Sequence, residues 1–265
     1  MISVMESYDS CNMAKEDCRM KVIVVGHWGG FPKANGASSG YLFESHSFHL
    51  LVDCGSAVLS KLQQYIEVEQ LDAVILSHYH HDHVADIGPL QHARLVKQHI
   101  GIEQPTLPIY GHTLDRDGFA QLSHEPYTKG VAYDPNTVLT LGPFSITFMR
   151  TEHPAPCFAM RITDGSGTVV YTGDSAYFDA LIPFSRHSDL LICESNFYKG
   201  MDGKAAGHMT STEAATIAKG ADVGTLLLTH LPHFGCLSNL VEDAKSIFPG
   251  QVDLAEEGWS WKSDQ

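Results

Sequence analysis

Asp72-Ala73-Val74-Ile75-Leu76-Ser77-His78-Tyr79-His80-His81-Asp82-His83 is the stretch on which the reading of this chain turns. Residues 73–76 are apolar and partly β-branched, the pattern of a short strand covered on both faces of its sheet. Four histidines and an aspartate follow at once. A strand ends and a metal site begins. From the turn leaving the strand, His78 and His80 can reach one metal. Asp82 and His83 open a helical pattern running to about residue 98 and can reach a second. A solvated histidine-rich loop or a tag is the competing explanation. Tags are terminal and unpatterned, whereas this tract is internal, follows a strand and holds a carboxylate at a fixed offset.

Working outward, 265 residues at 43% hydrophobic can bury a full core, as one large two-layered domain or two fused halves. Residues 1–19 are polar and aperiodic and read as a peripheral or disordered arm, with a single domain over 20–265. A strand at 21–25 leads into Gly26-His27-Trp28-Gly29-Gly30-Phe31-Pro32. That loop can present backbone N–H groups to an anion and is expected to wall the pocket. It lacks the P-loop lysine and any dinucleotide fingerprint. A hairpin is expected over 41–44 and 48–53, a helix over about 56–66, and an irregular segment over 101–136 that overhangs the site. Strands follow at 137–141, 145–150, 157–163 and 168–171, the last two joined by the turn Asp164-Gly165-Ser166-Gly167. Helices at 176–182, 211–219 and 240–248 then alternate with strands at 189–193, 225–228 and 251–254. Strand-then-helix order in both halves predicts two mixed β-sheets packed face to face with helices on both outer faces, an αββα sandwich.

Composition excludes several classes. No apolar segment approaches the roughly 20 residues of a membrane span, and the polar N-terminus does not read as a secretory signal, so a cytoplasmic location is expected. The cysteines at 11, 18, 54, 157, 193 and 236 form no CxxC pair and are expected as reduced thiols. Cys54, Cys157 and Cys193 lie in or beside apolar runs and read as small buried hydrophobes. A net charge of −14, with no clustered basic footprint, opposes strong nonspecific nucleic-acid binding.

Three later residues also follow apolar strands: His153 after Phe148-Met149-Arg150-Thr151-Glu152, Asp174 after Val169-Val170-Tyr171-Thr172-Gly173, and His230 after Leu226-Leu227-Leu228-Thr229. Each alone reads as a capping aspartate or an interior histidine. Three at strand ends beside the first cluster read as ligands.

His78-x-His80-x-Asp82-His83, with His153, Asp174 and His230, resembles the metallo-β-lactamase superfamily of binuclear metallohydrolases, from Met20 almost to the end of the chain. The resemblance implies the αββα fold, one ion on His78, His80 and His153, a second on Asp82, His83 and His230, and Asp174 bridging the two. Within the superfamily, Asp189-Leu190-Leu191-Ile192-Cys193-Glu194-Ser195 and Gly207-His208-Met209-Thr210-Ser211-Thr212-Glu213 resemble the ribonuclease Z branch. That likeness implies a proton relay between Glu194 and His208, which join Asp82 as the expected catalytic residues. Cys193 stands where the branch has a histidine, and Met209 where it has a serine. The link from His153 to Asp174 is too short for the long Gly/Pro arm with which tRNA-processing members grip tRNA.

These readings predict a hydrolase holding two divalent transition-metal ions. Zn²⁺ suits the donors best, with Mn²⁺ or Fe compatible. Two such ions sharing a water lower its pKa from about 15.7 toward about 7, so a bridging hydroxide is the expected nucleophile. The expected substrate is a small phosphodiester or a short nucleic-acid end, whose leaving alkoxide takes a proton from His208. Hydrolysis of a carboxyl derivative (a lactone, thioester or β-lactam) on the same metals is the alternative, and a metal-binding protein without turnover the third reading. No membrane partner is expected, and a homodimer is the candidate assembly.

Overall fold

The computed structural model of the protein describes residues 19–264. The expected N-terminal arm therefore lies, apart from Arg19, outside the described residues, as do Cys11 and Cys18.

Two seven-stranded sheets are built on one plan. In the first, β1 (Lys21–Gly26), β2 (Gly40–Ser45), β3 (Phe48–Val52) and β14 (Ser260–Lys262) pair antiparallel. Next, β4 (Ala73–Ile75), β5 (Leu107–Gly111) and β6 (Thr128–Ala132) extend that sheet in parallel, giving the order β14-β1-β2-β3-β4-β5-β6. The second sheet repeats the scheme in the order β13-β12-β11-β10-β9-β8-β7. Its antiparallel members are β7 (Leu139–Leu141), β8 (Phe144–Arg150), β9 (Phe158–Thr163) and β10 (Thr168–Tyr171). Its parallel members are β11 (Leu190–Glu194), β12 (Thr225–Thr229) and β13 (Gln251–Leu254).

Parallel neighbours require crossovers, and helices fill them. They are α1 (Val58–Leu62), α2 (His81–Val84), α3 (Ile87–His99) and α4 (Arg116–Ala120) in the first half, and α5 (Leu181–Phe184), α6 (Ser211–Ala221) and α7 (Leu237–Lys245) in the second. The period of two along each strand then makes three apolar layers. Val22, Val24, Phe43 and Leu50 meet Phe144, Ile146, Met160 and Ile192 between the sheets. Their sequence neighbours Ile23, Leu42 and Leu51, with Val74 of β4, face Val58, Leu62 and Leu90 on one outer side. Leu191, Cys193, Leu226 and Leu228 face Ala214, Ile217 and Leu240 on the other. Burial of each large side chain contributes about 1.5–3 kcal/mol, so the sandwich rests on its layers rather than on any one contact.

The αββα architecture is as expected, with local corrections. Residues 101–136 do not form an irregular overhang, because β5, α4 and β6 extend the first sheet there. Pro108 within β5 and the weakly apolar Thr128-Lys129-Gly130-Val131-Ala132 of edge strand β6 conceal the strand pattern. The helix expected over 56–66 shortens to Val58–Leu62, and that over 176–182 is replaced by Leu181–Phe184. The pattern from 82 to 98 breaks at Asp86, whose carboxylate accepts the Leu59 N–H at 2.9 Å, so α2 and α3 are separate helices. Cys54, Cys157 and Cys193 are buried free thiols. Among the described residues, no helix is long and apolar enough to cross a membrane.

Candidate metal centre

The carboxyl ends of β3 and β4 in one sheet and of β8, β10, β11 and β12 in the other converge at one end of the sandwich, the place where parallel strands present ligands. Each of the seven expected ligands leaves one of those ends. His78 and His80 follow β4, Asp82 and His83 form α2, and His153, Asp174 and His230 follow β8, β10 and β12.

The donor atoms fall into two sets. Those of His78, His80, His153 and Asp174 lie within 4.8 Å of one another, and so do those of Asp82, His83, Asp174 and His230. Asp174 belongs to both. Its Oδ2 is 3.6 Å from His78 Nε2 and 3.9 Å from His153 Nε2, while its Oδ1 is 3.2 Å from His83 Nε2 and 3.4 Å from His230 Nε2. One carboxylate thus turns one oxygen toward each histidine set.

The rings are held from behind. His153 Nδ1 pairs with the Gly207 carbonyl at 3.0 Å, and His83 Nδ1 with Asp53 Oδ2 at 2.8 Å, which leaves each Nε2 pointing inward. Asp53 was not picked out from the sequence. It sits just beyond β3 at φ +58°, buried, and also accepts the Ser77 N–H at 2.7 Å, the Ser77 hydroxyl at 2.8 Å and the Tyr171 hydroxyl at 2.8 Å. An aspartate directly after an apolar strand and before Cys54-Gly55 was the available signal. The glycine-rich loop does wall the pocket and does offer an N–H to an anion: Gly30 N–H donates to Asp82 Oδ2 at 2.7 Å.

Burial, then the neighbouring His83 imidazole, pushes His78 well down, and burial followed by His153 lowers His80, favouring the neutral ring a ligand must present. Burial alone would raise Asp174, but His230 and His83 hold it well below the carboxylate range. Burial would lower His83, yet Asp174, Asp82 and Asp53 outweigh that and hold it well up. The carboxylates of Asp53, Asp82 and Asp174 thus crowd around His83, a concentration of negative charge that a cation would balance. Three buried atoms of these seven residues also lack a hydrogen-bond partner: His78 Nε2, His83 Nε2 and Asp174 Oδ1. The last two approach at 3.2 Å without hydrogen-bond alignment. Unpartnered donors and acceptors of this kind cost about 1–3 kcal/mol each, and all three face the interior of the cluster. The imidazole and carboxylate donors thus form a cluster able to hold metal ions.

Beside the cluster, buried Glu194 at the end of β11 accepts from Ser175 N–H at 2.8 Å and Met209 N–H at 3.1 Å, and pairs with His208 Nδ1 at 2.9 Å. Burial would lower His208, but the charge and hydrogen bond of Glu194 raise it to about 9. The His208 ring lies 5.3 Å from that of His153 and 5.1 Å from that of His230. Strand alternation sends Cys193 the other way, into the helix-side layer, where its thiol lies 3.7 Å from Met209 Sδ. The two departures from the ribonuclease Z pattern therefore pack against each other behind the pocket.

The pocket itself encloses ≈ 380 Å³. Its mouth adds residues the sequence reading had not assigned: Asn196, which donates to the His230 carbonyl at 2.9 Å, and Phe31, His233 and Phe234.

An αββα sandwich with a His/Asp cluster at its strand ends defines a metallo-hydrolase of β-lactamase fold. The chain belongs to the β-lactamase superfamily: residues 48–231 match the family model described as "Beta-lactamase superfamily domain". It is similar to the "Probable metallo-hydrolase YhfI" of Bacillus subtilis, 60% identical over 243 residues covering 92% of this chain and all of that one. The crystal structure of YhfI superposes with a TM-score of 0.92 over the same 92%. The short form of human tRNase Z (TM-score 0.72, 20% identity, 92% of this chain and 100% of that one) shares the fold. So does a diphosphatase of the PhnP family (TM-score 0.70, 16% identity, 93% and 98%).

Proposed function

We propose that this protein is a binuclear metal-dependent phosphodiesterase of ribonuclease Z-like type, acting on a small phosphodiester or a short nucleic-acid end. The observation that carries the reading is the Glu194–His208 pair, 2.9 Å apart, set beside the ligand cluster with its imidazole at the pocket wall. His78, His80 and His153 would hold one ion, Asp82, His83 and His230 the other, with Asp174 shared, and Zn²⁺ fits this donor set best. The chemistry such ions supply is activation of water at neutral pH and polarisation of the oxygen under attack.

The chain's own residues do the rest. Glu194, fixed by two backbone N–H groups, orients His208 and keeps it protonated, so that Nε2 can give its proton to a leaving alkoxide. Asp53 and Gly207 lock the rings of His83 and His153. A carboxyl-ester hydrolase has less need of this pair where the leaving group is already stable as an anion. The test is a side-by-side screen of bis-p-nitrophenyl phosphate, a nucleoside diester, a lactone, a thioester and a β-lactam on metal-analysed protein. Close to two transition-metal ions per chain and turnover of the diesters are expected. Lactone or thioester turnover without diester turnover overturns the reading, and so does activity in metal-free protein.

A further inference from the structure

Seven large hydrophobic side chains are exposed among the described residues, and only two of them, Phe31 and Phe234, are aromatic. Both line the mouth of the metal pocket. They come from different halves of the chain, Phe31 from the loop after β1 and Phe234 from the loop after β12. Exposed phenyl rings are costly in water, so their meeting at the one cavity that holds the ligand cluster asks for an occupant.

Phe31 is the end of a built stack. His233 lies flat against it, with centroids 3.7 Å apart and planes at 5°, and Trp28 lies behind His233 at 5.3 Å and 28°. The imidazole cannot swing away, because His233 Nε2 is held by the Gly29 and Phe31 carbonyls at 3.0 and 2.9 Å. Lys33 Nζ sits 4.5 Å over the Trp28 ring. Phe31 stays 59% exposed, so its ring continues the stack into open space. Next along the chain from His233, Phe234 accepts the Tyr198 hydroxyl on its carbonyl at 2.8 Å and leans on the Tyr198 ring at 5.6 Å.

We propose that Phe31, backed by His233 and Trp28 and flanked by Phe234, is the platform on which the substrate's nucleobase stacks. The substrate is then a phosphodiester bearing a nucleoside, with its phosphate at the His/Asp cluster and its base at the rim. Every base has a flat π-face, so the platform selects for a base without choosing among bases. The cavity of ≈ 380 Å³ and the net charge of −14 suit one nucleotide unit rather than a long strand. An acyl chain would favour an apolar tunnel, whereas this lining presents flat phenyl and imidazole faces.

The proposal rests on the phosphodiesterase reading, and the two are separated by measuring binding and turnover independently. On the metal-loaded full chain, calorimetry would compare a nucleoside 5′-monophosphate with ribose 5-phosphate, which keeps the phosphate and sugar and lacks the base. The nucleotide should bind roughly 10- to 100-fold tighter. That ratio should fall toward one in Phe31→Ala and Phe31→Leu and persist in Phe31→Trp; the exposed position keeps all three variants folded. A ratio near one in the unmodified protein overturns the platform, and so does a ratio that survives in Phe31→Leu, which keeps apolar bulk and loses the flat face. Hydrolysis of a nucleoside diester by the same preparation is scored separately. Turnover with a ratio near one removes the platform and leaves the phosphodiesterase reading; a high ratio without turnover of any diester does the reverse.

Discussion

Asp174 turns Oδ1 toward His83 and His230 and Oδ2 toward His78 and His153, so its loss strips a donor from both sets at once. Asp174→Ala is expected to lose metal and turnover together, activity falling more than roughly 100-fold, read by elemental analysis beside kinetics. Full occupancy at normal rate would show that no shared ligand is needed. Asp53 touches no substrate-facing atom yet holds His83, Ser77 and Tyr171. Asp53→Asn should weaken metal binding roughly 10- to 100-fold, measured by titration with a competing chelator.

His208 separates proton transfer from metal work. His208→Ala should keep its metals and lose roughly 10²- to 10⁴-fold on an alkyl or nucleoside diester, but far less on a p-nitrophenyl ester, whose leaving group departs without a proton. Equal losses on both substrates would make the pair structural. Glu194 raises His208 to about 9, so the acid form is present below that value and is lost as pH rises through it. Glu194→Gln removes the raising charge and should move the alkaline fall in rate to lower pH on the nucleoside diester. An unmoved limb would assign it to another group.

At the scale of elements, α2 carries Asp82 and His83 because its short turn is pressed against the loop after β3. A Cβ at Gly55 would stand 1.9 Å from the Asp82 carbonyl oxygen, which is backbone and cannot step aside. Gly55→Ala should therefore displace the helix, cost about 1–3 kcal/mol and reduce metal occupancy, read from denaturant midpoints and elemental analysis. Gly88, in α3, has nothing within 4 Å of the added carbon. Gly88→Ala should be neutral or stabilising by up to about 1 kcal/mol in the same assay, because it lowers the backbone entropy of the unfolded chain without a clash in the helix. Equal effects at the two sites would mean that the α2 approach is looser than its geometry.

On the scale of the whole molecule, the span between His153 and Asp174 is consumed by β9, its tight turn and β10, all within the second sheet. No segment is left there to project as an arm. With a net charge of −14, weak or absent cleavage of a precursor tRNA is expected alongside turnover of small phosphodiesters. Efficient, salt-sensitive processing of that precursor would show that another surface does the clamping.

The sequence alone determined the architecture and the candidate ligands, because both are written in local patterns. Strand alternation, turn residues and the order of elements are short-range signals, and polar residues directly after apolar strands mark the open end of a sheet. Residues 101–136 resisted because edge strands need only a weak apolar pattern, and the three-residue β14 carried almost none. Only the tertiary structure decided that seven donors spread over more than 150 positions converge, that Asp174 faces both sets, and that Cys193 and Met209 pack away from the pocket. It alone brought Asp53 behind His83 and placed Phe31 against His233 across some 200 residues of chain. Such pairings are set by which sheet faces which and by the register between strands, and no local run of residues encodes a contact whose two halves meet only after both sheets have closed on their common core.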